Sequence, residues 1–325
     1  MKRESSIDAL RGIAALAVCL YHVCFASNYM PQGNSWELLA QFGDKGVQVF
    51  FILSGLVIPW SISFRKYEYK LVKEFLLRRF VRIQVPYAIA LIITIFCYLF
   101  YLNPSMQVDL KSILTNFFYL VPYSSDSWFL SVAWTLGVEF QFYLIVAISY
   151  PFFTSNNSWV RRLSLLCLAS MGLISTPDSI NSWFFFPTWA PFFAVGMMVF
   201  FLRTQKFSKK EFYISFSIIL SFLLFKYTKL LLLVCLSTTV FLLYFHTSKP
   251  PSFFIFLGKI SYSLYLIHLP IILIAGMILN QIQFSQNFPN LSVVVLMLLA
   301  ILGSFLFYSF CEKPSLKLAK KLKKE

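Results

Sequence analysis

Runs of about twenty consecutive apolar residues recur along the whole chain, each long enough to cross a hydrocarbon layer of about 30 Å as a helix. A helix satisfies its own backbone hydrogen bonds in such a layer, where no water can do so. The pattern predicts an all-α fold: a polytopic transmembrane helix bundle. Composition agrees, because 58% of the 325 residues are hydrophobic, mean hydropathy is +0.72 and only 13% are charged. Soluble domains carry about a quarter charged residues.

About ten spans can be drawn, at roughly 7–29, 46–63, 83–102, 128–153, 163–176, 183–202, 211–226, 230–246, 253–279 and 291–311. The cations cluster in alternate connections: Arg65, Lys66, Lys70, Lys73, Arg78, Arg79 and Arg82 in 64–82, then Arg161 and Arg162, then Arg203, Lys206, Lys209 and Lys210, then Lys317 to Lys324. The positive-inside rule therefore puts both termini in the cytoplasm. Connections 30–45, 103–127, 177–182 and 280–290 carry few cations and are expected outside, with Lys226 and Lys229 the exception. The stretch 112–123 is too short to span and is expected at the outer interface or re-entering. With no repeat, low-complexity tract or long extramembrane region, residues 1–325 read as a single membrane-embedded domain.

The net charge of +15 does not indicate nucleic acid, because the basic residues flank apolar spans and the 38 Phe lie mostly within them. Cys19, Cys24, Cys97, Cys167, Cys235 and Cys311 show no paired spacing, so neither a disulfide framework nor a metal site is expected. Lys2 and Arg3 before an apolar run imitate a secretory signal, but Arg11 and His22 interrupt the run and no cleavage site follows. The first span is expected to be retained.

Ionisable side chains inside spans are costly and mark sites by default. Arg11, His22, Glu139 and His268 are four such positions. Arg11 and His22 are eleven residues apart, which brings them within about 20° of one helix face at about 16 Å separation. Asp8 shares that stripe. Counting rise per residue places His22, His268 and Glu139 at similar depth, so the three can meet. An imidazole with a carboxylate nearby suits general-base work, because the anion stabilises the imidazolium formed. The bland alternative is an interhelical hydrogen bond.

Arg78, Arg79 and Arg82 crowd the expected inner mouth before Pro86, where guanidinium groups pair with phosphates or with lipid headgroups. Ser54 and Gly55, in FFILSG, bring small residues into the second span and favour close helix approach. GKISYSLYLIHLP (258–270) places Lys259, Tyr262 and His268 on one span, with Lys259 and Tyr262 also suited to interfacial anchoring.

Several blocks, in one order, resemble the acyltransferase-3 family of bacterial integral membrane O-acyltransferases of cell-surface carbohydrates. IDALRGIAALAVCLYH holds the family's Arg-x10-His as Arg11 and His22, FFILSG matches its second-helix motif, and RRFVRIQVP contains its RxxR as Arg79 and Arg82. WTLGVEFQFYL (134–144), GKISYSLYLIHLP and EKPSLKL (312–318) resemble its Trp-Ser-Leu-x-Val-Glu, late-helix and terminal Glu-Lys-Pro blocks. Residues 155–250 offer little to compare. Departures fall at Phe140, Lys259 and Ile267, and bear on the acceptor more than on the reaction.

The resemblance implies transfer of an acyl group, acetyl above all, from cytoplasmic acyl-CoA to a hydroxyl of a cell-surface glycan or lipid-linked sugar, in the bacterial inner membrane. No cofactor is then permanently bound; acetyl-CoA is the donor substrate, and membrane lipids are the surroundings. His22 and Glu139 would be catalytic. Arg11, Arg79 and Arg82 would hold the donor. Ser54 and Tyr262 are candidates for stabilising the developing oxyanion, and Asp8 could pair with Arg11. Some relatives carry a fused extracytoplasmic domain; none is expected here, so the chain would act alone or with a separate partner. A transporter of donor or glycan using His and Glu as a proton relay, and a non-catalytic subunit of a polysaccharide assembly complex, are the competing readings.

Overall fold

A computed structural model describes residues 4–26, 33–63, 72–103, 105–174, 184–245 and 249–322. Among these residues every regular element is helical. In chain order they are α1 (Ser5–Phe25), α2 (Glu37–Ala40), α3 (Gly46–Ser63), α4 (Val72–Cys97), α5 (Leu110–Phe117), α6 (Trp134–Phe153), α7 (Ser158–Ile174), α8 (Phe186–Arg203), α9 (Lys209–Lys226), α10 (Lys229–Tyr244), α11 (Ser252–Gln281), α12 (Phe284–Asn287), α13 (Pro289–Phe307) and α14 (Lys313–Lys321). Short turns of 3₁₀ or π helix extend several of them, and the π turn Tyr308–Glu312 joins α13 to α14.

Among the described residues, seven helical stretches are long and apolar enough to cross a membrane: Ser5–Phe25, Glu37–Ser63, Val72–Leu102, Ser131–Phe153, Phe186–Arg203, Ser252–Gln281 and Pro289–Lys321. The protein is multi-pass. The other three expected spans are also helices, but α7 and α10 are shorter, with 17 and 16 residues, and α9 carries Lys209, Lys210, Glu211 and Lys226. Length and composition by themselves thus identify seven of the ten expected spans.

Two boundaries differ from expectation for a common reason. Charged residues prolong a helix past the apolar run when its backbone can keep bonding. Helix α4 starts at Val72, so Lys73, Arg78, Arg79 and Arg82 lie on helix rather than in a connecting loop. The last span likewise continues through Glu312 to Lys321. Lys2, Arg3, Arg65, Lys66 and Lys70, the connection 177–182, Lys323 and Lys324 lie outside the described residues.

The chain divides into two compact units. The first comprises residues 1–7, 47–76 and 135–249. Its centre is α8, a helix buried over nearly its whole length. Gly55 of α3 and Gly196 of α8 let two backbones touch: a Cβ at either would lie 2.1 Å from the Phe193 carbonyl oxygen or 1.9 Å from that of Ile52. Phe51, Phe142 and Phe193 fill the space beside this crossing, with ring centroids 4.9 and 4.3 Å from Phe193. At the far end of α8, Arg203 donates to Glu4 at 2.8 Å and stacks over Trp60.

The second unit comprises residues 8–46, 77–134 and 250–325. Here α1 and α11 cross at glycines, since a Cβ on Gly258 would sit 1.9 Å from the Asp8 carbonyl oxygen and one on Gly12 would sit 2.6 Å from that of Phe254. Gly43 and Gly46 seat the start of α3 against Ala17 and Ala14 of α1 in the same way.

The stretch 112–123, expected at the outer interface or re-entering, packs back against α4. The Asn116 carbonyl accepts from the Tyr87 hydroxyl at 2.9 Å, the Phe117 carbonyl accepts from Gln84, and Tyr119 donates to Gln84 at 2.9 Å. Gln84 and Tyr87 lie 15–18 residues before Leu102, so the segment doubles back about 25 Å along α4. Asp109 starts α5 in a reciprocal capping box with Ser112, whose amide and hydroxyl hold the Asp109 carboxyl below its ordinary range.

The backbone crossing yields a stability prediction. Gly258→Ala inserts a methyl against backbone that cannot turn aside, and is expected to cost about 1–3 kcal/mol. Gly303→Ala meets only the flexible end of Ile271 and should cost less. Thermal unfolding in detergent, followed by reaction of buried thiols such as Cys19 and Cys235, measures both.

Candidate functional site

Two of the four intramembrane ionisable residues meet in the second unit. His22 lies in the last turn of α1 and His268 in the middle of α11, about 26 and 24 Å from their helix starts. Helices that run together from a tight crossing at Asp8 and Gly258 bring such positions side by side. His268 Nε2 is 3.1 Å from His22 Nδ1, with ring centroids 5.0 Å apart. Each ring is also tied to its own helix: His22 Nδ1 lies 2.9 Å from the Val18 carbonyl oxygen and His268 Nδ1 lies 2.7 Å from that of Leu264. His268 is 1% exposed, whereas His22 is half-buried.

The carboxylate whose field reaches His22 is Asp44, in the turn before α3. Sequence reasoning passed over it because it stands outside the apolar run. Its signal lay in the glycines on either side, Gly43 and Gly46, which press this turn onto α1 between Ala14 and Tyr21. Asp44 pairs with Lys45 through Oδ2, and its buried Oδ1 makes no hydrogen bond.

A second cluster forms lower on the same helices. The π turn Tyr308–Glu312 rotates Glu312 inward, where it is 5% exposed and accepts hydrogen bonds from the amide and hydroxyl of Ser263 on α11. Arg82 and Arg11 both act on this carboxylate electrostatically, Arg82 the more strongly. One buried carboxyl thus lies in the fields of a guanidinium from α4 and another from α1. Ser315, three residues on, donates to the Val81 carbonyl at 2.7 Å and fixes α14 against α4 next to Arg82. Glu312 had appeared in the sequence only as part of a terminal motif, and its inward turn depends on a π bulge that periodicity does not reveal.

The remaining candidates take these places. Tyr262 donates to the Ile83 carbonyl at 2.7 Å and Tyr265 to that of Val132 at 3.1 Å, so both hydroxyl protons pin α11 to its neighbours. Asp8 is buried at the α1–α11 crossing, Arg79 is half-buried on α4, and Lys259 is exposed. Glu139 and Ser54 belong to the first unit, where the Ser54 hydroxyl donates to Glu139 Oε1 at 2.7 Å and ties α3 to α6. Among the described residues, the second unit therefore brings an imidazole pair and a buried carboxyl in the field of two guanidinium groups onto shared helices. An imidazole can exchange a proton with a bound group, and guanidinium groups can hold an anion.

Comparison with known proteins adds a separate line of observation. A family model described as an acyltransferase domain matches residues 4–309. The peptidoglycan O-acetyltransferase OatA of Listeria monocytogenes is 31% identical over 192 residues, covering 53% of this chain and 28% of the relative. The O-acetyltransferase OatA of Staphylococcus aureus is 24% identical, covering 95% of this chain and 56% of the relative. The chain spans about half the length of the curated relatives it matches, or less. No solved structure matches it.

The Glu312 cluster makes a prediction of its own. Glu312→Ala removes the acceptor on which Ser263 and the two guanidinium fields converge, and should destabilise the detergent-solubilised protein by about 1–3 kcal/mol. Glu312→Gln keeps an oxygen for Ser263 and should lose less. The difference between their unfolding temperatures measures what the hydrogen bonds contribute apart from the charge.

Proposed function

Because the chain belongs to the acyltransferase-3 family, we propose that it carries an acyl group, acetyl in the simplest case, from acyl-CoA to a hydroxyl of a cell-surface glycan. Peptidoglycan, named for the Listeria relative, is the specific acceptor to test first. In this reading the protein lies in the bacterial inner membrane with ten spans and both termini in the cytoplasm, as the distribution of Lys and Arg favours.

The observation that carries the reading is the His22–His268 contact inside apolar helices, with Asp44 in the field of His22. A sugar hydroxyl is a weak nucleophile at neutral pH. His22 takes its proton as the oxygen attacks the thioester carbonyl, and Asp44 stabilises the imidazolium that results. Collapse of the tetrahedral intermediate breaks the carbon–sulfur bond. The proton on His22 passes to the leaving thiolate, so ester and free coenzyme A are the only products.

Arg82 and Arg11, whose fields both reach Glu312, hold the donor's phosphates together with Arg79. Lys313 and Lys317 of α14, both exposed, extend the same basic surface. Ser54 and Glu139 have a supporting role in the first unit, because their mutual hydrogen bond already uses the serine proton.

Two experiments test the assignment in isolated membranes supplied with labelled acyl-CoA. His22→Ala should accumulate normally and lose transfer by about 10²–10⁴-fold; transfer at the wild-type rate would refute the base, and counterflow without transfer would indicate a carrier. Arg82→Ala should raise the KM for acyl-CoA by about 10–100-fold, the worth of a charge-assisted hydrogen bond. It should leave the KM for an acyl-pantetheine donor, which lacks the phosphates, unchanged.

A further inference from the structure

The hydrogen-bond geometry around His22 leaves one arrangement of protons. A backbone carbonyl can only accept, so the 2.7 Å contact from His268 Nδ1 to the Leu264 oxygen requires a hydrogen on that nitrogen. The 2.9 Å contact from His22 Nδ1 to the Val18 oxygen requires one there too. His22 Nδ1 then has no lone pair to offer, and the 3.1 Å contact between the rings must run from His22 Nδ1–H to a bare His268 Nε2. His268 is therefore neutral with its proton on Nδ1. In the alternative form of His22, the lone pairs of its Nδ1, of His268 Nε2 and of the Val18 oxygen would all converge.

We propose that His268 is a positioning residue that holds His22 in the Nδ1–H form and so presents the unprotonated Nε2 of His22 to the acceptor hydroxyl. The proposal rests on His22 being the base of the reaction described above. A neutral histidine side chain in water favours the opposite form, with the proton on Nε2, in which the outward nitrogen could not take a proton. The i−4 carbonyl of Val18 selects the right form only weakly, because it already accepts the main-chain bond of the helix. A second acceptor on another helix adds to that selection and fixes the ring's rotation. His268 can supply it because it is 1% exposed, so no water competes for its lone pair. The Tyr265 ring lies beside it, centroid 6.2 Å away, and Tyr265 is itself pinned to Val132.

The chain has only three histidines, so labelling them with ¹⁵N in lipid nanodiscs gives a spectrum that single substitutions can assign. Wild-type protein should show His22 with a protonated Nδ1 and a bare Nε2. His268→Leu should shift His22 toward the Nε2–H form and lower kcat by about 10–100-fold, with donor KM unchanged. His268→Gln places an amide oxygen near the lost Nε2 and should restore both the Nδ1–H form and most of kcat. A wild-type His22 protonated on Nε2 would overturn the proposal. So would His268→Leu with unchanged tautomer and rate, or His268→Gln that unfolds at the wild-type temperature yet matches His268→Leu in both readouts. The tautomer is read without turnover, so it stands or falls separately from the His22→Ala test of the reaction.

Discussion

The close approach of α1 and α11 is the constraint on which the second unit depends. Two glycines permit it, and a methyl at Gly258 would overlap the Asp8 carbonyl. In an apolar surrounding, helices gain little from hiding hydrophobic surface and associate through close packing and interhelical hydrogen bonds. A crossing at backbone distance sets the register of everything further along both helices. Ten to fourteen residues on, it delivers His22 and His268 to within 3.1 Å of each other.

The same economy governs the charged groups. Glu312 is almost wholly buried, yet it is served by the amide and hydroxyl of Ser263 and lies in the fields of Arg82 and Arg11. Ser54 serves Glu139 in the first unit. These carboxyl groups lie where a second helix can serve them, while buried hydroxyls such as Thr94, Thr239 and Ser304 bond back onto their own helix, so that each finds a partner in a layer without water. The acyl-transfer reading uses that arrangement twice, once to hold an anionic donor and once to move a proton.

Depth along the helices was legible from residue numbers alone. His22 and His268 were expected at one level because rise per residue is constant, and they meet there. The equal depth of Glu139 said nothing about its neighbour, which is Ser54. Tyr262 looked available as a donor in the sequence, but its proton goes to Ile83. Asp44 and Glu312 escaped notice for opposite reasons. Asp44 stands in a turn that only Gly43 and Gly46 bring to α1, and Glu312 points inward only because a π turn rotates it.

By itself the sequence determined a helical membrane protein, its basic flanks and the stripe that carries Arg11 and His22, because these follow from hydropathy and helical period, which are local. Which side chains share a proton or a charge was decided by tertiary structure alone. Hydrogen bonds depend on differences of an ångström between helices that are hundreds of residues apart in the chain, and glycine crossings, a π turn and a doubled-back segment set those distances.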